Sequence, residues 1–529
     1  MRNNYFLLLL VLLGGSTLFA QQREVIIEAD GVDVIKNTIE ADLAAVGEET
    51  ASNTIYRLRR GERYAYSSQF RPEFKLTIMA TEGDGPRPRV TAVPPSEGEA
   101  PRFLRPEASD YTIMSIDIEQ KDAAGQHTDN APLRPRGQGA RIVMEDCVID
   151  GQRFEILRTD AEDLRVFLRE NIFRNNFQQD NWYKNGGLYF QRGNPVDTLV
   201  MTDNVYFQTP GRMTHQINGA VIDYWNFSNN TVVNVGGMNE LGVYASGTGS
   251  ACFDMGITTN LIVENNIFYN MGFYGINVGF DSVMSVFQYN TNDTIPTETF
   301  RFRNNNIYTN PMLLEGTPDT AQQIRLLSYE MDSFIMAEFN VDDAEAWVME
   351  NNISEPLTFV NVPLQLETHM QRKAARWANP ATAQTELLVF NNDVLADDLD
   401  FFYGEDTESF TAGVGGTYLG SIRYVRGIVS TDDYELGSGA LEVVSNYPNP
   451  VRDHTTLRLN MAQDATVEVV VYDLSGRVAY RQIGQRVQAG EQQLTLTDID
   501  LPAGVYPYAV IATLSDGSRV GATRRMIVQ

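Results

Sequence analysis

A short phrase led by asparagine or an acidic residue and followed by apolar residues recurs through the middle of the chain. It reads Met144-Glu-Asp-Cys-Val-Ile-Asp150, Arg169-Glu-Asn-Ile-Phe173, Thr202-Asp-Asn-Val-Tyr206, Ser228-Asn-Asn-Thr-Val232, Val263-Glu-Asn-Asn-Ile-Phe-Tyr269, Arg303-Asn-Asn-Asn-Ile-Tyr308, Met349-Glu-Asn-Asn-Ile-Ser354 and Phe390-Asn-Asn-Asp-Val394. Aligned on the residue before the apolar pair, the copies fall at 147, 171, 204, 230, 266, 306, 352 and 393, with gaps from 24 to 46 residues. A repeat of this kind specifies stacked coils, the longer gaps being coils that carry loop insertions. Asparagine suits a sharp corner because its short amide tolerates left-handed backbone, and stacked copies can hydrogen-bond along the axis. One coil cannot bury its apolar side alone, so neighbours share one continuous core.

A stack must close its ends, because a terminal coil is an open sheet edge. Ile35, Ile39, Leu43 and Val46 recur at helical spacing and predict an amphipathic N-terminal cap. Thr54-Ile-Tyr-Arg-Leu58, Lys75-Leu-Thr-Ile-Met79 and Ile113-Met-Ser-Ile-Asp-Ile118 then read as the first rungs. The expected fold is all-β: a right-handed parallel β-helix over residues 21–430, a linker at 431–440, and a small immunoglobulin-like β-sandwich at 441–529.

Met1 to Ala20 has Arg2, an apolar run from Phe6 to Leu13 and then small residues, the layout of a cleaved secretory signal. No later stretch reads as a membrane span. The formal net charge of −28 makes nucleic acid a poor partner, and a polyanionic glycan would require a locally basic groove. The chain has two cysteines, Cys147 and Cys252, so it is not a disulfide scaffold.

Asn446-Tyr-Pro-Asn-Pro450, Tyr472-Asp-Leu-Ser-Gly-Arg477, Ala489-Gly490 and Leu501-Pro-Ala-Gly-Val-Tyr506 occur in this order among short alternating strands. Together they closely resemble the type A sorting domain of the type IX secretion system of Gram-negative bacteria, carried by Asn446, Pro448, Asn449, Pro450, Gly476, Gly504 and Tyr506. The resemblance implies engagement of the type IX machinery, with release or attachment at the outer surface. Pro507 departs from the usual strand residue and puts local pairing in question. The solenoid resembles the pectate-lyase-like parallel β-helix superfamily, whose secreted members open with a rung like Ile55-Tyr-Arg-Leu58, Gly61 and Tyr64.

No nucleophile elbow, phosphate loop or zinc signature is present. The second resemblance implies action on extracellular polysaccharide, with lyase chemistry on uronate-containing chains: a base removes a proton beside the carboxylate, and a cation, Ca²⁺ or arginine, stabilises the enolate-like state. Lys184, Arg192, Arg212 and His215 are the candidate catalytic residues. Trp182 and Tyr183 beside Lys184 are candidates for stacking against a sugar. Asp223 and Asp254 are candidate Ca²⁺ ligands. The alternative for each is an exposed loop or solubilising surface charge, and for the whole chain a non-catalytic adhesin or structural solenoid. A monomer is expected.

Overall fold

The computed structural model describes residues 23–83, 85–93, 101–107, 109–119, 132–151, 155–159, 161–175, 187–190, 194–209, 213–216, 220–235, 252–255, 257–272, 284–289, 299–315, 324–327, 347–378, 396–414, 416–424, 441–449, 451–472, 478–497, 499, 501–502, 504–514 and 519–529. Among them the expected parallel β-helix is present as three parallel sheets. The first has eleven strands, from Arg23–Ile27 to Trp347–Glu350; the second has nine, from Arg63–Tyr66 to Asn306–Tyr308; the third has six, from Leu157–Thr159 to Ile324–Leu327. In each sheet the neighbours are strands of successive coils, so every coil completes its hydrogen bonds only by stacking. The predicted cap is the helix Val34–Val46, which buries Ile35 and Ile39 and packs Leu43 and Val46 on the core. The strand Arg23–Ile27 precedes it and pairs in parallel with Thr54–Leu58, so the cap lies between the first two strands of the first sheet rather than before them.

The corner between the first and second sheets divides between two residues the work that the sequence assigned to one. Asp146, Glu170, Asp203, Asn229, Asn265, Asn304 and Asn351 adopt φ between 52° and 60°, the left-handed turn. The next residue builds the ladder: Asn171, Asn204, Asn230, Asn266, Asn305 and Asn352 are stacked, and the first five are fully buried. Each Oδ1 accepts both the backbone N–H and the Nδ2–H of the asparagine one coil earlier, as Asn230 does from Asn204 at 3.0 and 3.0 Å. Each Nδ2 also donates to a main-chain carbonyl, from Met144 O to Phe302 O. Cys147 holds the same place at the lower end, its N–H donating to Asn171 Oδ1.

The fifth ladder asparagine is Asn305, not Asn306, because Ile267 pairs with Asn306 and Phe268 with Ile307. The copy expected at Asp393 lies outside the described residues. Both cysteines are free and buried, and burial pushes each thiol up to about 12.

The second sheet's outward row reads Arg63, Arg89, Asp117, Val148, Ile172, Val205, Thr231, Ile267 and Asn306. Charge gives way to apolar residues at Val148 because a C-terminal strap covers the later coils. Leu357, Phe359, Leu399, Phe401, Tyr403 and Leu419 of the strap form a second core with Val148, Ile172, Val205, Phe207, Val233 and Ile267. The strap then tracks back along the corner. Ala412 O accepts from Asn304 Nδ2, Gly420 N–H donates to Asn265 O, Ser421 Oγ to Asp203 O, and Arg423 to Glu170 O. Gly420 is required there: φ is +84° and a Cβ would lie 2.6 Å from Thr231 Oγ1. At the far end Arg87 and Arg423 both pair with Asp146. Burial raises the Asp146 carboxyl's pKa, but the two guanidinium groups outweigh it and hold the carboxyl below its ordinary range.

Residues 441–529 form antiparallel sheets of three and four strands around a separate core that includes Leu457, Leu459, Val469, Leu494 and Val510. Pro507 keeps register with Arg525, and the pairing to Ala465–Tyr472 stops at Val471 opposite Tyr508. Its missing N–H therefore does not interrupt that ladder.

Candidate functional site on the third face

In two short strands of the third sheet, Leu157–Thr159 and Thr214–Gln216, the middle residue points away from the core. Leu157 and Thr159 are buried while Arg158 is half-buried; Thr214 and Gln216 are buried while His215 is half-buried. Register then sets one row across five coils: Arg158 opposite Tyr189, Tyr189 opposite His215, His215 opposite Asp254, and Asp254 opposite Gln288. Two of the sequence candidates, His215 and Asp254, thus occupy the same register position in adjacent strands, about 4.8 Å apart along the axis.

Lys184, Trp182, Tyr183, Arg192 and Arg212 lie outside the described residues. In the chain, residues 182–184 and 192 flank the strand Leu188–Phe190, and residue 212 precedes Thr214–Gln216. Asp223 is elsewhere: it is exposed on the first-sheet strand Val221–Ser228, where partial burial and the neighbouring Asp197 carboxylate raise its pKa. Asp223 and Asp254 belong to different sheets, and among the described residues no group of three or more His, Cys, Asp or Glu is arranged to hold a metal.

The row continues toward the N-terminus through residues that belong to no catalytic motif. Single parallel bridges join Phe70 to Leu104, Leu104 to Leu133 and Leu133 to Leu157. These are buried, and the residue after each is an arginine: Arg71, Arg105, Arg134 and Arg158. A signal for them exists in the sequence, since Phe70-Arg-Pro72, Leu104-Arg-Pro106 and Leu133-Arg-Pro135 are three copies of one phrase, followed by Leu157-Arg-Thr159. Proline has no N–H to donate, which explains why the first three coils make single bridges here and a strand appears where Thr159 replaces proline.

In the tail, Asn446 Nδ2 donates to Thr455 Oγ1, Thr455 Oγ1 donates to Pro448 O, and Asn449 Nδ2 donates to Asn446 Oδ1. The Asn-Tyr-Pro-Asn phrase is thus a turn fastened to the following strand. Gly504 lies flat against Tyr506, where a Cβ would come within 3.3 Å of the ring, and the Tyr506 hydroxyl donates to Pro502 O. Pro450 and Gly476 lie outside the described residues.

No curated protein matches the chain. Residues 445–529 match the family model described as "Secretion system C-terminal sorting domain". With its turn phrase and two-sheet core in place, the tail is that sorting domain, and it marks the chain for type IX export to the cell surface or the extracellular space.

Proposed function

We propose that the exported solenoid binds an extracellular polysaccharide along its third face and cleaves uronate-containing chains there as a lyase. The observation that carries this reading is the axial row in which Tyr189, His215, Asp254 and Gln288 share one register. An extended sugar chain lying along the axis meets one such position per coil. The strap covers the second sheet over the same coils.

In the lyase step a base, His215 or Lys184, takes the proton from the carbon beside the carboxylate. Arg192 and Arg212 hold the carboxylate as charge builds on it. The carbon–oxygen bond one carbon further on breaks with the electron pair leaving on oxygen, a carbon–carbon double bond forms, and the leaving glycan oxygen takes a proton from solvent.

The test incubates the mature full-length chain with uronate-containing and neutral polysaccharides, with and without Ca²⁺, and follows both unsaturated-uronate absorbance and reducing ends. Unsaturated product that falls at least about a hundredfold in His215→Ala or Lys184→Ala is the expected result. Reducing ends without unsaturation would replace the lyase with a hydrolase. Glycan binding with no turnover would make the protein an adhesin.

A further inference from the structure

We propose that the sorting domain is read on the outer face of its three-stranded sheet, where Tyr447 is the anchor that a protein component of the export machinery takes into an apolar pocket. Around the ring, Thr456, Thr495 and Gln493 offer hydroxyl and amide groups to the rim of that pocket.

Register builds the face. The strands Leu441–Tyr447, Thr455–Met461 and Gly490–Leu496 pair antiparallel, and Leu457, Leu459, Met461, Leu494 and Leu496 enter the tail's core. The alternate residues Thr456, Arg458, Asn460, Gln493 and Thr495 therefore point outward, Thr456 half-buried and the other four exposed. Tyr447 lies opposite Thr456, and Thr456 opposite Thr495, so these three share one row across the sheet. The two threonine hydroxyls are 3.0 Å apart. In the next row Arg458 lies opposite Gln493, and its guanidinium is 3.8 Å from the Glu491 carboxylate.

The fold does not need an aromatic ring at position 447. Asn446, Pro448 and Asn449 are bonded into the turn and to Thr455, so the neighbours of Tyr447 do the fastening. The Tyr447 side chain is 72% exposed, the highest value for a large apolar side chain among the described residues, and it is absent from the tail's core. Tyr506 of the other phrase is the contrast: it is 8% exposed, belongs to the core, and its hydroxyl donates to Pro502 O. A lone exposed apolar residue is ordinary on a protein surface. One held at a strand end by a fastened turn is pre-organised, so docking costs it little freedom, and aromatic anchors of this kind carry most of the energy of an interface. The occupant follows from the family match, which opens within the strand that ends at Tyr447: a sorting domain has the export machinery as its partner.

The experiment expresses the full chain in a host with a type IX system and measures the exported fraction by fractionation and immunoblotting. Tyr447→Ser lowers that fraction about threefold or more, and so does Thr495→Arg, which sets bulk and charge in the same row. Tyr447→Phe, which keeps the ring, and Gln463→Arg, at an exposed position beyond the far end of the strand Thr455–Met461, stay within about twofold of the wild type. Each variant, purified from a host without that system, keeps the wild-type resistance of its tail to limited proteolysis, since none of these side chains enters the core. Full export of both Tyr447→Ser and Thr495→Arg overturns the face. Lost export in a Tyr447→Ser chain whose tail has become protease-sensitive also overturns it, making Tyr447 a structural residue. Should Thr495→Arg unfold the tail, Tyr447→Ser decides. A concentration-dependent dimer that Tyr447→Ser breaks while export is unchanged assigns the face to a second copy of the chain instead. Deletion of residues 441–529 in parallel separates the two levels: export unaffected by the deletion removes the tail's sorting role, and export lost on deletion yet full in both variants removes the face alone.

Discussion

Deleting residues 441–529 is expected to abolish export while leaving the solenoid folded. In a host with a type IX system, the full chain reaches the surface or the medium, and the truncated chain accumulates behind the outer membrane. The basis is the match of residues 445–529 to the secretion-system sorting domain, together with the way the tail is built. Its core is drawn from Val451 to Val528, and among the described residues the two solenoid cores contain no residue of the tail. Removing the tail therefore leaves the described solenoid cores whole. Fractionation with immunoblotting reads the location, and a thermal melt of the truncated protein shows whether the solenoid keeps its midpoint. Export at the full-length level after deletion would remove the tail from its role.

Asn230→Ala is expected to cost roughly 3–5 kcal/mol, because at least two buried polar groups lose their partners at about 1–3 kcal/mol each. Asn230 Oδ1 accepts from Asn204 N and Nδ2 through the equivalent contact at 3.0 Å, and its own Nδ2 donates to Met201 O at 2.8 Å. All of this is fully buried, so water does not replace what alanine removes. Asn230→Asp tests the cause separately. It keeps the volume and an acceptor but turns the donor toward Met201 O and Asn266 Oδ1 into an oxygen, so it too should destabilise strongly. An effect of packing alone would spare the aspartate variant. Chemical unfolding followed by far-UV circular dichroism measures both.

The coil repeat was legible because one buried hydrogen-bond network imposes one residue type at one place in each coil. Asn171, Asn204, Asn230 and Asn266 could be aligned from the apolar pair that follows them. At Asn304-Asn305-Asn306 the rule slipped by one residue. Asn306 takes the outward position held by Ile267 in the coil before, since its Nδ2 donates to Glu355 O and Ser409 Oγ of the strap. A polar strap contact replaced the expected apolar one, so the pair that set the alignment began a residue late.

A second repeat lay four residues further on and was not read: Gly151, Asn175, Gln208, Asn234 and Asn270 all have positive φ, at the far end of the second-sheet strands. The strap could not be read because its contacts have no period. Gln208 Nε2 reaches Pro363 O and Asn234 Nδ2 reaches Leu364 O, across more than a hundred residues of chain. For the candidate site, His215 and Asp254 were named from residue type. Only register shows that they are neighbours and that Asp223 is not. The Phe/Leu-Arg-Pro copies were in plain view, but a search for catalytic motifs looks for rare residues rather than for repeated common ones.

The most direct test of the account is hydrogen–deuterium exchange on the mature full-length chain with and without polygalacturonate. Protection concentrated in the peptides spanning 70–72, 104–106, 133–135, 157–159, 188–190 and 214–216, with the first-sheet strands unchanged, is the predicted result. Protection confined to the first sheet, or no change in a protein that demonstrably binds the glycan, would contradict the assignment of the third face.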